Sequence, residues 1–273
     1  MAGHMIFLDI DGTIRDFDGY IPESTIELIR KVKQNGHKVC ISTGRPYCQI
    51  EKRILNIGFD GVISGFGSYV VYEGSCIVHK YFPLMTYLNL CDYLLRHECV
   101  IELQTYAGCY LIQREVKAFQ AIGERIHRKL GKKAKKSIEF PKVINSVMDV
   151  AEVEKILFFG NELSDEEILA RWSGLLNFVP LSIPNSEKWG GEIMMVSVNK
   201  AEGIKAILSV SGYQMEEVIA FGNSENDIGM LKAAGTGVVM GNGKAKVNSV
   251  ADIITTPIRE DGLKKAFLKL GLI

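Results

Sequence analysis

Strand and helix signals alternate at both ends of this chain and lose that rhythm in between. Met5–Ile10 is a short apolar run that stops at acidic and glycine residues, as a buried strand does. Pro22 and Glu23 open a helix that Gly36 closes, with Ile26, Ile29 and Val32 or Lys33 marking one face. A strand at Lys38–Ser42, a helix from Pro46 to about Ile57, a strand at Val62–Ser64 and a hairpin over 69–80 turning at Glu73-Gly74 follow. From about 190 the rhythm returns: strand 192–198, helix 201–211, strand Val218–Phe221, helix 225–234, strand Gly237–Met240, helix 244–249, strand Ile253–Thr255 and helix 260–270. Such alternation predicts a Rossmann-like α/β fold, a parallel sheet with helices on both faces. Between them, short strands (98–105, 108–113, 155–160, 175–181) mix with longer helices (85–97, 114–131, 164–172). The expected organisation is a core domain from 1–82 and 191–273, with an inserted α+β domain over 83–190.

At 273 residues, the chain has room for two domains. Lys+Arg and Asp+Glu both number 32, so no global charge points to nucleic acid or an anionic membrane. No apolar run reaches membrane-spanning length, and the N-terminus lacks a secretory pattern. Met1-Ala2-Gly3-His4 resembles a tag remnant, with Met5 as a natural start. The six cysteines (Cys40, Cys48, Cys76, Cys91, Cys99 and Cys109) contain no C-x-x-C pair. They read as free, buried thiols of a cytoplasmic protein, with Cys48 the one candidate for a reactive thiol.

In parallel α/β sheets, ligands sit beyond the carboxyl ends of the strands. Asp9, Thr43 and Asn223 all fall at such ends and can converge. Asp9-Ile10-Asp11-Gly12-Thr13 places two carboxylates on one side of an extended strand end. They repel unless a cation or a proton intervenes. Magnesium suits a site with one or two carboxylates, water and phosphate oxygens. A calcium loop is excluded, because Thr13 and Tyr20 stand where that pattern needs acidic residues. Ser42-Thr43-Gly44-Arg45 offers a hydroxyl and turn amides to an anion, at what reads as a helix start. Alone, Thr43 reads first as a helix cap. Lys200 alone reads as a surface lysine. Gly222-Asn223-Ser224-Glu225-Asn226-Asp227 collects oxygen ligands in one turn, or caps a helix.

Other signals lead elsewhere. Gly65-Phe66-Gly67 is followed by Val70, so it is no dinucleotide fingerprint; Gly243-Lys244 lacks the first glycine of a P-loop. The basic run from Arg128 to Lys136 reads as a solvated helix end, and Trp172 and Trp189 read as packing residues.

In order and together, the four motifs resemble those of the haloacid dehalogenase superfamily of phosphatases, in particular its Cof-type branch, over the whole chain from Met5. The resemblance implies that the inserted domain is a cap and that the activity is magnesium-dependent hydrolysis of small phosphorylated metabolites: sugar phosphates, flavin mononucleotide or pyridoxal phosphate. It makes Asp9 the nucleophile, Asp11 the general acid and then base, Thr43 a phosphoryl-binding group and Lys200 the neutralising cation. Gly12, Gly44, Arg45 and Asn226 fall in its substrate-binding positions. Mg2+ would be held by Asp9, the backbone carbonyl of Asp11, Asn223 and Asp227. Two departures stand out. Asn223 occupies a position where the family has Asp, which implies weaker metal affinity or more reliance on Asp227. Phe66-Gly67-Ser68 replaces the usual Asn-Gly-Ala, which implies a reshaped substrate pocket. A phosphomutase, or a weakened phosphometabolite-binding regulator, are the alternatives.

Overall fold

The computed structural model describes residues 3–130, 140–160, 163, 165–181 and 190–273. In chain order, its regular elements begin with β1 (Met5–Leu8), α1 (Glu23–Gln34), β2 (Lys38–Ser42), α2 (Lys52–Leu55), β3 (Gly61–Ser64), β4 (Tyr69–Tyr72) and β5 (Ser75–His79). The middle holds α3 (Leu84–Arg96), β6 (Val100–Thr105), β7 (Gly108–Ile112), α4 (Val116–Leu130), β8 (Lys142–Ile144), β9 (Lys155–Phe159), α5 (Asp165–Arg171), β10 (Leu176–Pro180) and β11 (Gly190–Met195). The chain closes with α6 (Lys200–Ser211), β12 (Val218–Gly222), α7 (Ile228–Ala233), β13 (Thr236–Val239), α8 (Ala245–Asn248), β14 (Ile253–Ile254) and α9 (Gly262–Lys269).

Two compact units result. One comprises Met1–Arg45, Ile50–His79 and Asn199–Ile273; the other comprises Pro46–Gln49 and Lys80–Val198. In the first unit, the described strands form a sheet in the order β14-β13-β12-β1-β2-β3-β4-β5. Pairing is parallel from β14 to β3, and β4 and β5 add an antiparallel edge. Every residue of β1 and β12 is buried, as strands covered on both faces must be. Met5 and Phe7 pack in one cluster with Ile204 and Ile207 of α6, while Phe221 meets Phe267 of α9 edge to face. Each fully buried Ile, Leu or Phe contributes roughly 1.5–3 kcal/mol. The same burial fixes where β1 ends and the acidic residues begin.

The second unit is α+β. Its described sheet runs β10-β11-β9-β6-β7-β8, antiparallel except for the β7–β8 pair. The alternation of β6 sends Ile101 and Leu103 towards Leu90 and Leu94 of α3 and Ile168 of α5. Val100 faces the other way, in a cluster with Phe119 and Ile122 of α4.

Three expectations change. The strand expected at 192–198 is β11, and it belongs to the second sheet, with Gly190–Met194 registered against Phe159–Lys155. A Cβ on Gly190 would lie 2.0 Å from the Phe158 carbonyl oxygen, so this glycine permits the close pairing. The first unit therefore resumes at Asn199, not 191, and the other takes Lys80–Val198 together with Pro46–Gln49, in place of 83–190. No helix begins at Pro46: a 3₁₀ turn at Tyr47–Gln49 is followed by Glu51 in extended backbone before α2. Trp189 and most of the basic run after Arg128 lie outside the described residues, whereas Trp172 packs in the second unit's core as expected. Among the described residues, no helix is long and apolar enough to cross a membrane.

Candidate active site

The motif residues meet at the carboxyl end of the parallel sheet. Asp9 is the first residue beyond β1, still tied to β12 by its backbone N–H donating to the Phe221 carbonyl oxygen (3.0 Å). It is 5% exposed. Lys200 opens α6, whose N-terminus is capped by the Asn199 side chain accepting from the Glu202 N–H at 2.9 Å. That placement turns Lys200 inward: its Nζ donates to Asp9 Oδ1 at 2.7 Å and to Asp227 Oδ1 at 2.6 Å. Lys200, read alone as a surface residue, is 1% exposed.

Asp227 organises the turn that follows β12. Its Oδ2 accepts from the backbone N–H groups of Asn223 and Ser224, both at 2.9 Å, and from Ser224 Oγ at 3.1 Å. The turn presents Asn223 towards Gly12. A Cβ on Gly12 would lie 2.3 Å from Asn223 Nδ2, and the backbone there has φ +92°. Only glycine meets both demands without strain. Among the described residues, Asn223 Oδ1 is buried without a hydrogen-bond partner.

Thr43 is 2% exposed at the end of β2, where its N–H donates to the Ile63 carbonyl oxygen (2.8 Å) and its Oγ1 accepts from the Arg45 N–H (3.2 Å). Arg45 forks onto Asp11, with Nε to Oδ2 at 2.6 Å and Nη2 to Oδ1 at 2.7 Å. Arg15 Nη1 donates to the same Oδ1 at 2.7 Å.

A model of haloacid dehalogenase-like hydrolases matches residues 6–267. The chain belongs to that family. A 5-amino-6-(5-phospho-D-ribitylamino)uracil phosphatase of Bacillus subtilis is 29% identical to this hydrolase, over 97% of this chain and 96% of the relative. The solved structure of BT1666 from Bacteroides thetaiotaomicron, among the phosphatases of the haloalkanoate superfamily, superposes with TM-score 0.82 at 26% identity, covering 100% of this chain and 96% of that one. The subclass IIB sugar phosphatase BT4131 gives TM-score 0.80 at 26% identity, covering 99% and 100%.

Within this hydrolase, the charges around Asp9 do not balance. Burial, and then the neighbouring Asp227 and Asp11, push its carboxyl up to about 7 against the pull of Lys200. Burial draws Lys200 down, but the two carboxylates outweigh it and raise the ammonium to about 12. The residues fit a magnesium ion in two respects. Asp9 is a carboxylate whose charge burial disfavours, and Asn223 Oδ1 is a buried oxygen acceptor with no donor among the described residues. Among the described residues, no three His, Cys, Asp or Glu side chains group as metal ligands, so the set would draw on amide, backbone and water oxygens.

Several sequence candidates take other positions. Asp227 accepts four donors and is an anchor for Lys200 and the turn, which weighs against the metal-ligand role expected of it. Asn226 Oδ1 accepts from Ser224 Oγ at 2.7 Å, inside the turn. Phe66, with φ 60° between Gly65 and Gly67, is 4% exposed, and its ring lies where a Cβ on Gly44 would fall, at 2.5 Å. It supports the Thr43-Gly44-Arg45 loop from below, so it shapes the site through that loop. Gly44 is required for this approach. Thr43 caps no helix, because none starts there.

Sequence reasoning missed Arg15 and Glu51. The turn closed by the Gly12 N–H donating to the Arg15 carbonyl oxygen (2.7 Å) sets Arg15 beside Asp11, and Arg15 Nε lies 2.9 Å from Glu51 Oε1. Arg45 Nη1 is 3.9 Å from the same Glu51 oxygen, so Asp11, Arg15, Glu51 and Arg45 form a ring of alternating charge. The available signal was an arginine four residues after Asp11, across a glycine turn.

Proposed function

We propose that this hydrolase is a magnesium-dependent phosphatase of small phosphorylated metabolites, working through a phosphoryl group carried on Asp9. The observation that carries this reading is the buried Asp9 carboxylate sharing Lys200 with Asp227, at the carboxyl end of the sheet where Thr43 also sits. An Asp9 oxygen attacks phosphorus and the ester oxygen leaves, taking a proton from Asp11. Water then attacks the aspartyl-phosphate, with Asp11 receiving its proton. Lys200 and Thr43 bind phosphoryl oxygens, and Arg45 exchanges part of its fork on Asp11 for the incoming phosphate. Asp9, the Asp11 backbone carbonyl and Asn223 Oδ1 would hold Mg2+, which supplies positive charge against the phosphoryl oxygens. Asp227 keeps Lys200 aimed. Gly12 and Gly44 leave room for these approaches, and Asn226 steadies the turn.

The substrate class is a phosphorylated sugar, polyol or cofactor, flavin mononucleotide and pyridoxal phosphate included. The relatives named for a ribitylamino-uracil phosphate and for sugar phosphates support this. The unit at Lys80–Val198 is the cap that selects among them, and the protein acts in the cytoplasm, without nucleic acid or membrane. The test is phosphate release from a phosphometabolite panel with magnesium. Release that vanishes in Asp9→Asn supports the reading, whereas unchanged release contradicts it. Isomerised sugar phosphate in place of free phosphate would identify a mutase.

A further inference from the structure

Two sulfurs in the second unit lie close together with no part in this chemistry. Cys48, the exposed residue of the 3₁₀ turn Tyr47–Gln49, has its Sγ 3.9 Å from Cys109 Sγ on β7. A disulfide needs about 2 Å between sulfurs, so the two atoms are neighbours that must close further to bond. Cys40, Cys91 and Cys99, in contrast, are buried. The expectation of uniformly buried thiols therefore fails at Cys48 and Cys76, both exposed.

The surroundings give the two sulfurs unequal parts. Cys48 is an exposed residue whose Sγ lies 3.5 Å from the Thr105 carbonyl oxygen. Cys109 is 8% exposed, accepts from Gln49 Nε2 at 3.1 Å and hydrogen-bonds with Glu102, a carboxylate 3% exposed. The hydrogen bond between the sulfurs draws the Cys48 thiol below its ordinary range, while the same contact and burial push Cys109 well above it. Cys48 is thus the more accessible and more readily ionised thiol, and Cys109 the buried one beside it.

We infer that Cys48 and Cys109 form a redox modification site, in which a hydroperoxide oxidises Cys48 and Cys109 closes the product into a disulfide. In the first step, the Cys48 thiolate attacks the peroxide. An S–O bond forms, the O–O bond breaks and an alcohol or water leaves with a proton, giving a sulfenic acid. Cys109 then passes its proton to Glu102 and attacks the Cys48 sulfur. The S–S bond forms, the S–O bond breaks and the departing hydroxide regains the proton as water. Two thiols and one hydroperoxide give one disulfide, one alcohol and one water. Burial raises the Glu102 carboxyl, which suits it to hold that proton in passage.

The experiment treats the intact protein with hydrogen peroxide, alkylates the remaining thiols and maps the peptides by mass spectrometry. The expected result is loss of two of the six alkylatable thiols, a mass lower by two hydrogens and a Cys48–Cys109 linked peptide that dithiothreitol releases. Cys109→Ser should stop at a Cys48 sulfenic acid that dimedone traps, and Cys48→Ser should form no linked peptide. Cys76, exposed on β5, is the internal comparison. Six alkylated thiols, oxidation of Cys76 before Cys48, or Cys48 driven to sulfinic acid with Cys109 still alkylatable would each overturn the inference. The wild-type map decides this alone, without phosphatase activity and without either variant.

Discussion

Asp9 and Asp11 stand two residues apart, yet their surroundings differ in kind. Asp9 is almost fully buried, shares one ammonium with a second buried carboxylate and carries a charge its surroundings do not balance. Asp11 keeps 31% of its side chain exposed and sits in a ring with Arg15, Arg45 and Glu51. The first arrangement favours an incoming cation, and with it an anionic substrate. The second fixes where a carboxylate points. A strand end followed by a glycine turn thus separates two identical side chains into a site for charge change and a site for orientation.

Breaking the Asp9 side should have the largest effect. Asp9→Asn is expected to lower phosphate release by about a thousand-fold or more, measured at saturating substrate and magnesium. Lys200→Met leaves two buried carboxylates facing each other without their cation. It should destabilise the fold by about 3–5 kcal/mol, read from denaturant unfolding at neutral pH, though substrate and magnesium would lessen the loss. The raised Asp9 value gives a pH signature in metal-free buffer. Its folded value of about 7 lies above the ordinary 3.8, so the folded state favours the protonated form. Its contribution to stability is fully present below the unfolded value and is lost as pH rises through the folded one. Compared with Asp9→Asn, the wild type should lose at most about 4 kcal/mol between those limits, seen as a widening gap in melting temperature. Magnesium should narrow that gap most above pH 7.

The Asp11 side should respond differently. Arg15→Met removes one member of the ring and leaves Asp9 and Lys200 in place. The expected change is a roughly ten-fold fall in kcat with KM within about two-fold, because a positioned proton donor is displaced while ground-state binding persists. An equal rise in KM would mean that Arg15 binds substrate directly. The smallest effect belongs to Asn223→Asp. Added negative charge beside Asp9 should tighten magnesium binding by about ten-fold at most, by calorimetric titration, and should lower metal-free stability.

The parallel sheet was legible in the sequence because buried strands such as Met5–Leu8 and Val218–Gly222 read as unbroken apolar runs. The carboxyl ends of those strands then indicated where Asp9, Thr43 and Asn223 would meet. The β11 strand was assigned to the wrong sheet because a short strand before a helix looks alike in either unit; only its ladder with β9 decides. The helix expected at Pro46 broke because Glu51 is extended, a local choice that periodicity does not register. Arg15 and Glu51 escaped notice because pairs between buried charges depend on distance in space, and Lys200 escaped burial on paper because one lysine carries no pattern. The role of Asp227 was ambiguous for a similar reason: an acidic residue in a turn reads as a ligand until its oxygens are counted against four donors.

The most direct test of the account is to trap the phosphoryl group. The hydrolase would be mixed with its best substrate and magnesium, quenched in acid during turnover, reduced with borohydride and digested for mass spectrometry. An aspartyl-phosphate reduces to homoserine, so the account predicts homoserine at position 9 and nowhere else, absent from Asp9→Asn. Turnover with Asp9 unmodified, or homoserine at Asp11 instead, would contradict it.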